Sequence, residues 1–160
     1  SPTPTTEAPT THVIQSSGIR IRIPDGWSKI AEQSDIVVIE GPDGNRLTVQ
    51  TFTSSSKDAV KELGKYFDGQ QKKYSNPKRQ RVTKLNWDPK IDVAQGGLTG
   101  VRSDTASSRE VSLHSTFAIR GSDKLGLMIT LRYDPKGDVD KAMSDYILVR
   151  TSGMNSLIST

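Results

Sequence analysis

The segment from Arg109 to Tyr133 constrains the fold more than any other: R-E-V-S-L-H-S-T-F-A-I-R-G-S-D-K-L-G-L-M-I-T-L-R-Y. Two alternating runs flank a Gly-Ser-Asp turn, the pattern of a long amphipathic β-hairpin. Val111, Leu113, Phe117 and Ile119 share one parity, as do Leu125, Leu127, Ile129, Leu131 and Tyr133. Glu110, Ser112, His114, Arg120 and Arg132 share the other. At least one face of this hairpin must be core, because each large apolar side chain removed from water contributes roughly 1.5–3 kcal/mol before chain ordering is subtracted.

Directly opposed residues lie on the same face of a sheet, so the pattern makes a prediction about register. A two-residue loop at Gly121-Ser122 sets Phe117 against Gly126 and mixes the parities. A loop of three or five residues instead pairs Ile119 with Leu125, Phe117 with Leu127, Leu113 with Leu131 and Val111 with Tyr133. The hydrophobic pattern selects the odd loop. The odd face is then core, and the even face, with Ala118 beside Gly126 and Thr116 beside Met128, is small enough to seat a helix.

Around this hairpin, 160 residues suit one domain that buries a core without metal or disulfide support. Cysteine is absent, which removes disulfides, thiolate metal ligands and a cysteine nucleophile. No apolar run exceeds four residues, as in Ile36 to Ile39, so these residues contain no membrane-spanning pattern. The formal charge of +4 is modest, but its distribution is uneven. Lys72, Lys73, Lys78, Arg79, Arg81 and Lys84 lie in a span with no acid between Asp68 and Asp88. One reading is a contact surface for an acidic partner, anionic lipid or nucleic acid. The other is a solvated helix end followed by an edge strand whose charges discourage aggregation. Nucleic acid fits poorly, since Tyr74 is the one interleaved aromatic and no RNP-like or helix-turn-helix pattern is present.

Read in order, residues 1–12 form a Pro/Thr-rich spacer that cannot bury apolar surface and is expected to be extended or disordered. The chain starts without methionine, which leads us to expect a signal or membrane anchor ahead of the spacer. The domain is predicted over 13–154, with 155–160 a frayed tail. Ile19, Ile21 and Ile23 alternate with Arg20 and Arg22 in a strand closed by Pro24-Asp25-Gly26. Trp27 follows as a plug on the rim of the core or a ligand-stacking residue. Ile36 to Ile39 and Arg46 to Phe52 form a second hairpin around Gly41 to Asn45, which lacks the following helix and Gly-Lys-Ser/Thr of a phosphate loop.

Thr53 to Ser56 offers helix caps, and Val60, Leu63, Phe67 and Tyr74 recur at helical spacing, predicting a helix from about Lys57 to Tyr74 that stops before Asn76-Pro77. Arg79 to Asn86 reads as a strand, and Ile91 with Val93 as a short extended piece. Gly96-Gly97-Leu98-Thr99-Gly100 lies between apparent strands, which argues for a bulge or a close backbone contact rather than a dinucleotide loop. Val139, Met143, Tyr146 and Val149 mark a last helix, expected to end at Ser152-Gly153.

Catalytic chemistry has no anchor in this pattern. The two histidines, His12 and His114, lack metal-ligand spacing, and neither a metal nor a cofactor is expected. A Ser-His-Asp arrangement would have to be built on His114, yet no Gly-x-Ser-x-Gly elbow is present and a lone histidine on the outer face of a strand is usually a surface residue. Asp25 and Asp43 sit in separate turns, so paired-carboxylate catalysis has no footing. The chain is expected not to be an enzyme.

The order hairpin, helix, antiparallel strands, final helix predicts an α+β fold: an antiparallel β-sheet with helices packed on it. The runs G-I-R-I-R-I-P-D-G-W-S-K and V-V-I-E-G-P-D-G-N-R-L-T-V-Q-T, with the later A-Q-G-G-L-T-G-V and S-L-H-S-T-F, resemble the extracytoplasmic domain of actinobacterial type VII secretion-associated proteins. The resemblance covers roughly Ile14 to Arg150. It implies a PsbP-like α-β-α sandwich and an accessory, protein-binding role at the secretion machinery of the cell envelope, extracytoplasmic and anchored through a preceding segment. Small lipoproteins of the same fold offer the alternative, a small-ligand or lipid-binding domain. The resemblance transfers no catalytic residues. The candidate partner-binding residues are therefore Lys72, Lys73, Lys78, Arg79, Arg81 and Lys84, with Trp27 and Trp87 on an exposed rim.

Overall fold

The computed structural model describes residues 10–160; the first nine residues of the expected spacer lie outside them. The three spacer residues that are described, Thr10 to His12, belong to a strand, β1 (Thr10–Val13), paired antiparallel with β2 (Arg20–Ile23). The other strands, β3 (Ser28–Glu32), β4 (Ile36–Glu40), β5 (Arg46–Thr53), β6 (Tyr74–Leu85), β7 (Ile91–Arg102), β8 (Glu110–Arg120) and β9 (Leu125–Tyr133), form one antiparallel sheet ordered β3-β4-β5-β9-β8-β7-β6. Helix α1 (Ala59–Gln71) packs on β6, β7 and β8. Helix α2 (Val139–Ser159) packs on β2, β8 and β9. No helix among the described residues is long and apolar enough to cross a membrane.

The helices lie on opposite faces, so the sheet is covered on both sides by two separate cores. One core joins Ile19, Ile21, Val37, Leu47, Val49, Leu127, Ile129 and Leu131 to Tyr146, Val149 and Leu157 of α2. The other joins Leu63 and Phe67 of α1 to Leu98, Leu113, Phe117, Ile119 and Met128. This division overturns the predicted hairpin register. Ile119 faces Gly126, Phe117 faces Met128 and Leu113 faces Arg132, around the four-residue loop between Arg120 and Leu125. Parity selects a register only when one face is buried. Here the odd residues of β8 lie under α1 and those of β9 under α2, so the observed register buries both sets.

Both helix ends differ from expectation. Helix α1 begins at Ala59 because the Asp58 carboxylate accepts from Lys61 N (3.1 Å), a better-placed cap than the preceding serines. It ends at Gln71, and Tyr74 opens β6 instead of closing the helix. Helix α2 runs through Ser152-Gly153 to Ser159, and Leu157 is fully buried, so residues 155–159 are helix and not tail. Gly153 does not terminate it: a Cβ there would meet Leu127 at 3.1 Å, and the missing side chain lets the helix approach β9. Gly96 of β7 plays the same part for α1. A Cβ on Gly96 would sit 3.0 Å from the Phe67 ring, while β7 pairs unbroken with β8.

Candidate functional site

The predicted cationic residues fall on the turn after α1 and on β6, an edge strand of the main sheet. All six are exposed, yet they are not equivalent. Arg79 turns back onto α1, pairing with Asp68, donating to Gly64 O (3.0 Å) and lying 6.0 Å from the centre of the Phe67 ring. Lys84 pairs with Asp92 at 3.4 Å. These two tie the edge strand to its neighbours. Lys72, Lys73, Lys78 and Arg81 have no ion-pair partner among the described residues. Register shifts between Ser75 and Lys78 and between Gln80 and Thr83 break the regularity of this edge, a device that together with lysines blunts edge-to-edge association.

The two tryptophans separate. Trp87 is 38% exposed and, with Lys84 and Lys90, borders a surface hollow of about 470 Å³. Trp27 is 7% exposed and leaves the set of candidate contacts. Its indole covers Gly41, where a Cβ would come within 2.3 Å of the ring. Its Nε1 donates to Asp145 Oδ2 at 2.7 Å, and Lys141 Nζ donates to the other oxygen at 2.8 Å. A buried indole needs such an acceptor for its N–H, and Asp145 in α2 supplies it.

His114 is half-buried, edge-on to Tyr146 with ring centres 5.0 Å apart. Burial, and then the nearby Arg150, hold its pKa below the ordinary value. Its neighbours are thus an aromatic ring and a cation, and among the described residues no hydrogen bond joins it to a carboxylate.

A second concavity lies between a helix and the sheet, where the small-ligand alternative requires a pocket. Helix α1 leaves the same face of the sheet open over β4, β5 and β9, and beside its C-terminal end lies a cleft of about 290 Å³. Three arginines line it: Arg46 from β5, Arg102 from β7 and Arg132 from β9. Arg46 is held by Glu40 at 3.1 Å and Arg102 by Asp104. Arg132 is half-buried without a hydrogen-bond or ion-pair partner among the described residues, and burial first, then Arg46, pull its pKa down. Tyr66 and Gln70 of α1, and Tyr74 at the start of β6, complete the wall. No local pattern marks these residues, which come from strands far apart in the chain.

No protein-family model matches the chain. No curated protein matches it. Solved structures do. The Ran-binding protein Mog1p of Saccharomyces cerevisiae superposes with a TM-score of 0.61 at 8% identity, over 93% of this chain and 94% of that one. The fold is Mog1/PsbP-like. LpqN, involved in cell envelope biogenesis of Mycobacterium tuberculosis, aligns with a TM-score of 0.52 at 11% identity, over 91% of this chain and 83% of its own. A protein from Bacteroides thetaiotaomicron matches with a TM-score of 0.55 at 12% identity, and this chain spans 45% of that one. At such identities the likeness concerns the fold.

Proposed function

We propose that this chain is a non-enzymatic accessory module of the cell envelope that binds an acidic protein partner of the type VII secretion machinery along β6. Placement outside the cytoplasm, through an anchor ahead of the Pro/Thr-rich segment, belongs to the same proposal. The observation that carries it is the turn after α1 with the β6 edge, where Lys72, Lys73, Lys78 and Arg81 project without ion-pair partners among the described residues while Arg79 and Lys84 hold the strand in place. The envelope role of LpqN, which shares the fold, supports the setting.

The test is capture from a membrane extract at two salt concentrations. The wild-type chain recovers a secretion component at ~0.1 M salt and loses most of it at ~1 M, where the screening length has shrunk from about 10 Å to about 3 Å. The K72E/K73E/K78E/R81E variant recovers several-fold less at the lower salt. Failure to recover any secretion component, or equal recovery by the variant, refutes the proposal. The second reading, a small-ligand or lipid-binding domain, draws on the 290 Å³ cleft between α1 and the sheet.

A further inference from the structure

We propose that the cleft between α1 and β5-β9 binds the phosphate group of a small organic ligand, held by Arg132, Arg46 and Arg102. This builds on the second reading above and is independent of the β6 surface.

Arg132 stands in an unfavourable setting, half-buried beside like charge. Arg46 and Arg132 are directly opposed residues of β5 and β9, and like charges opposed across strands destabilise a sheet. Arg102 adds a third cation to the same cleft. An anion in the cleft would balance the one charge there, that of Arg132, which Glu40 and Asp104 leave unpaired.

The cations are also arranged for the task. Glu40 and Asp104 anchor the outer two, while the half-buried Arg132 between them keeps its donors uncommitted among the described residues. Among the described residues no carboxylate lines this cleft, in contrast to the adjoining depression that shares Arg102 and Arg132 but includes Asp43, Glu110 and Asp134. Tyr74 is 6% exposed, and its buried hydroxyl has no hydrogen-bond partner among the described residues. Arg102 lies over the Tyr74 ring, 5.4 Å from its centre. A guanidinium offers no acceptor, so the phenolic proton still lacks one.

The chemical class follows from donor count and size. A phosphate monoester carries close to two negative charges and three terminal oxygens, which suits several forked guanidinium donors better than the two oxygens of a carboxylate. A cleft of about 290 Å³ is larger than a bare phosphate, and Val38, Leu113 and Met128 give it an apolar side against which an organic substituent can lie. A soluble phosphate ester and a lipid headgroup share this chemistry.

The experiment titrates the purified chain with glycerol 3-phosphate by calorimetry, and separately with phosphatidylcholine vesicles with and without phosphatidic acid. Saturable binding of the soluble ester identifies a free ligand, and binding of the phosphatidic acid vesicles alone identifies a headgroup; either supports the site. Arg132→Gln is expected to weaken binding by roughly ten- to a hundred-fold, the scale of a lost charge-assisted hydrogen bond, while its melting temperature equals or exceeds the wild-type value because a repulsion has been removed. Should Arg132→Gln fail to fold, the exposed Arg46→Gln carries the same comparison. Absence of binding to both probes, binding by the folded arginine variant equal to wild type, or succinate binding as tightly as glycerol 3-phosphate overturns the assignment. A K78E/R81E variant, altered only on β6, should bind glycerol 3-phosphate normally, which separates this site from the protein-binding surface.

Discussion

At Gly41 the backbone runs flat beneath the Trp27 indole, and a methyl group there would overlap the ring at 2.3 Å. The ring cannot yield, because its Nε1 is bonded to the buried Asp145. Gly41→Ala should therefore cost about 1–3 kcal/mol, the usual penalty of overpacking, measured as a lower urea midpoint. His114 poses a different problem. Its folded pKa lies below the ordinary 6.5 because burial, and secondarily Arg150, disfavour the imidazolium. The unfolded chain then binds the proton more readily, so stability is full above the unfolded pKa and falls as pH drops through it. Urea midpoints followed from about pH 7 to about pH 5 should decline in the wild type and decline less in His114→Gln. An identical decline in both would assign the pH dependence to other groups.

Elements meet here through small polar side chains as much as through apolar ones. The second edge of β2 is sealed by α2: Ser156 Oγ accepts from Arg20 N at 2.8 Å and Ser152 Oγ from Arg22 N at 2.9 Å. Ser152 in turn donates to Val149 O at 2.9 Å, which leaves its lone pairs for the strand. The double substitution Ser152→Ala/Ser156→Ala should raise the hydrogen-exchange rates of the Arg20 and Arg22 amides while those in β8 stay protected, because the main sheet does not depend on these bonds. The serines look like a helix terminus in sequence, next to Gly153, and the expected stop there followed from ordinary capping chemistry. Tertiary packing overrode it, since the apolar residues Met154 and Leu157 continue the buried stripe beyond the glycine. Likewise, the alternation of β8 and β9 was legible as a hairpin, while its register was not.

Across the whole molecule, the two helices cover opposite faces of one sheet at offset positions, α1 toward β6 and α2 toward β9 and the β1-β2 ribbon. That offset leaves the α1 face open over β4, β5 and β9, and the arginine cleft forms along the boundary. The basic span was readable because its residues are neighbours in the chain, and the absence of acids between Asp68 and Asp88 is a local property. Its division into strand-fixing residues, Arg79 and Lys84, and outward-facing ones depended on Asp68 and Asp92, whose proximity only folding creates. The amino-acid sequence by itself determined the α+β class, the presence of both helices and the antiparallel pairing of the long hairpin, since alternation, helical spacing and turn residues act over a few positions. The tertiary structure alone decided which face each strand buries, where α2 ends, that Trp27 is core, and that Arg46, Arg102 and Arg132 meet. Those outcomes depend on contacts between residues distant in the chain. Where both faces of a sheet are covered, alternation no longer says which set of side chains lies under which helix.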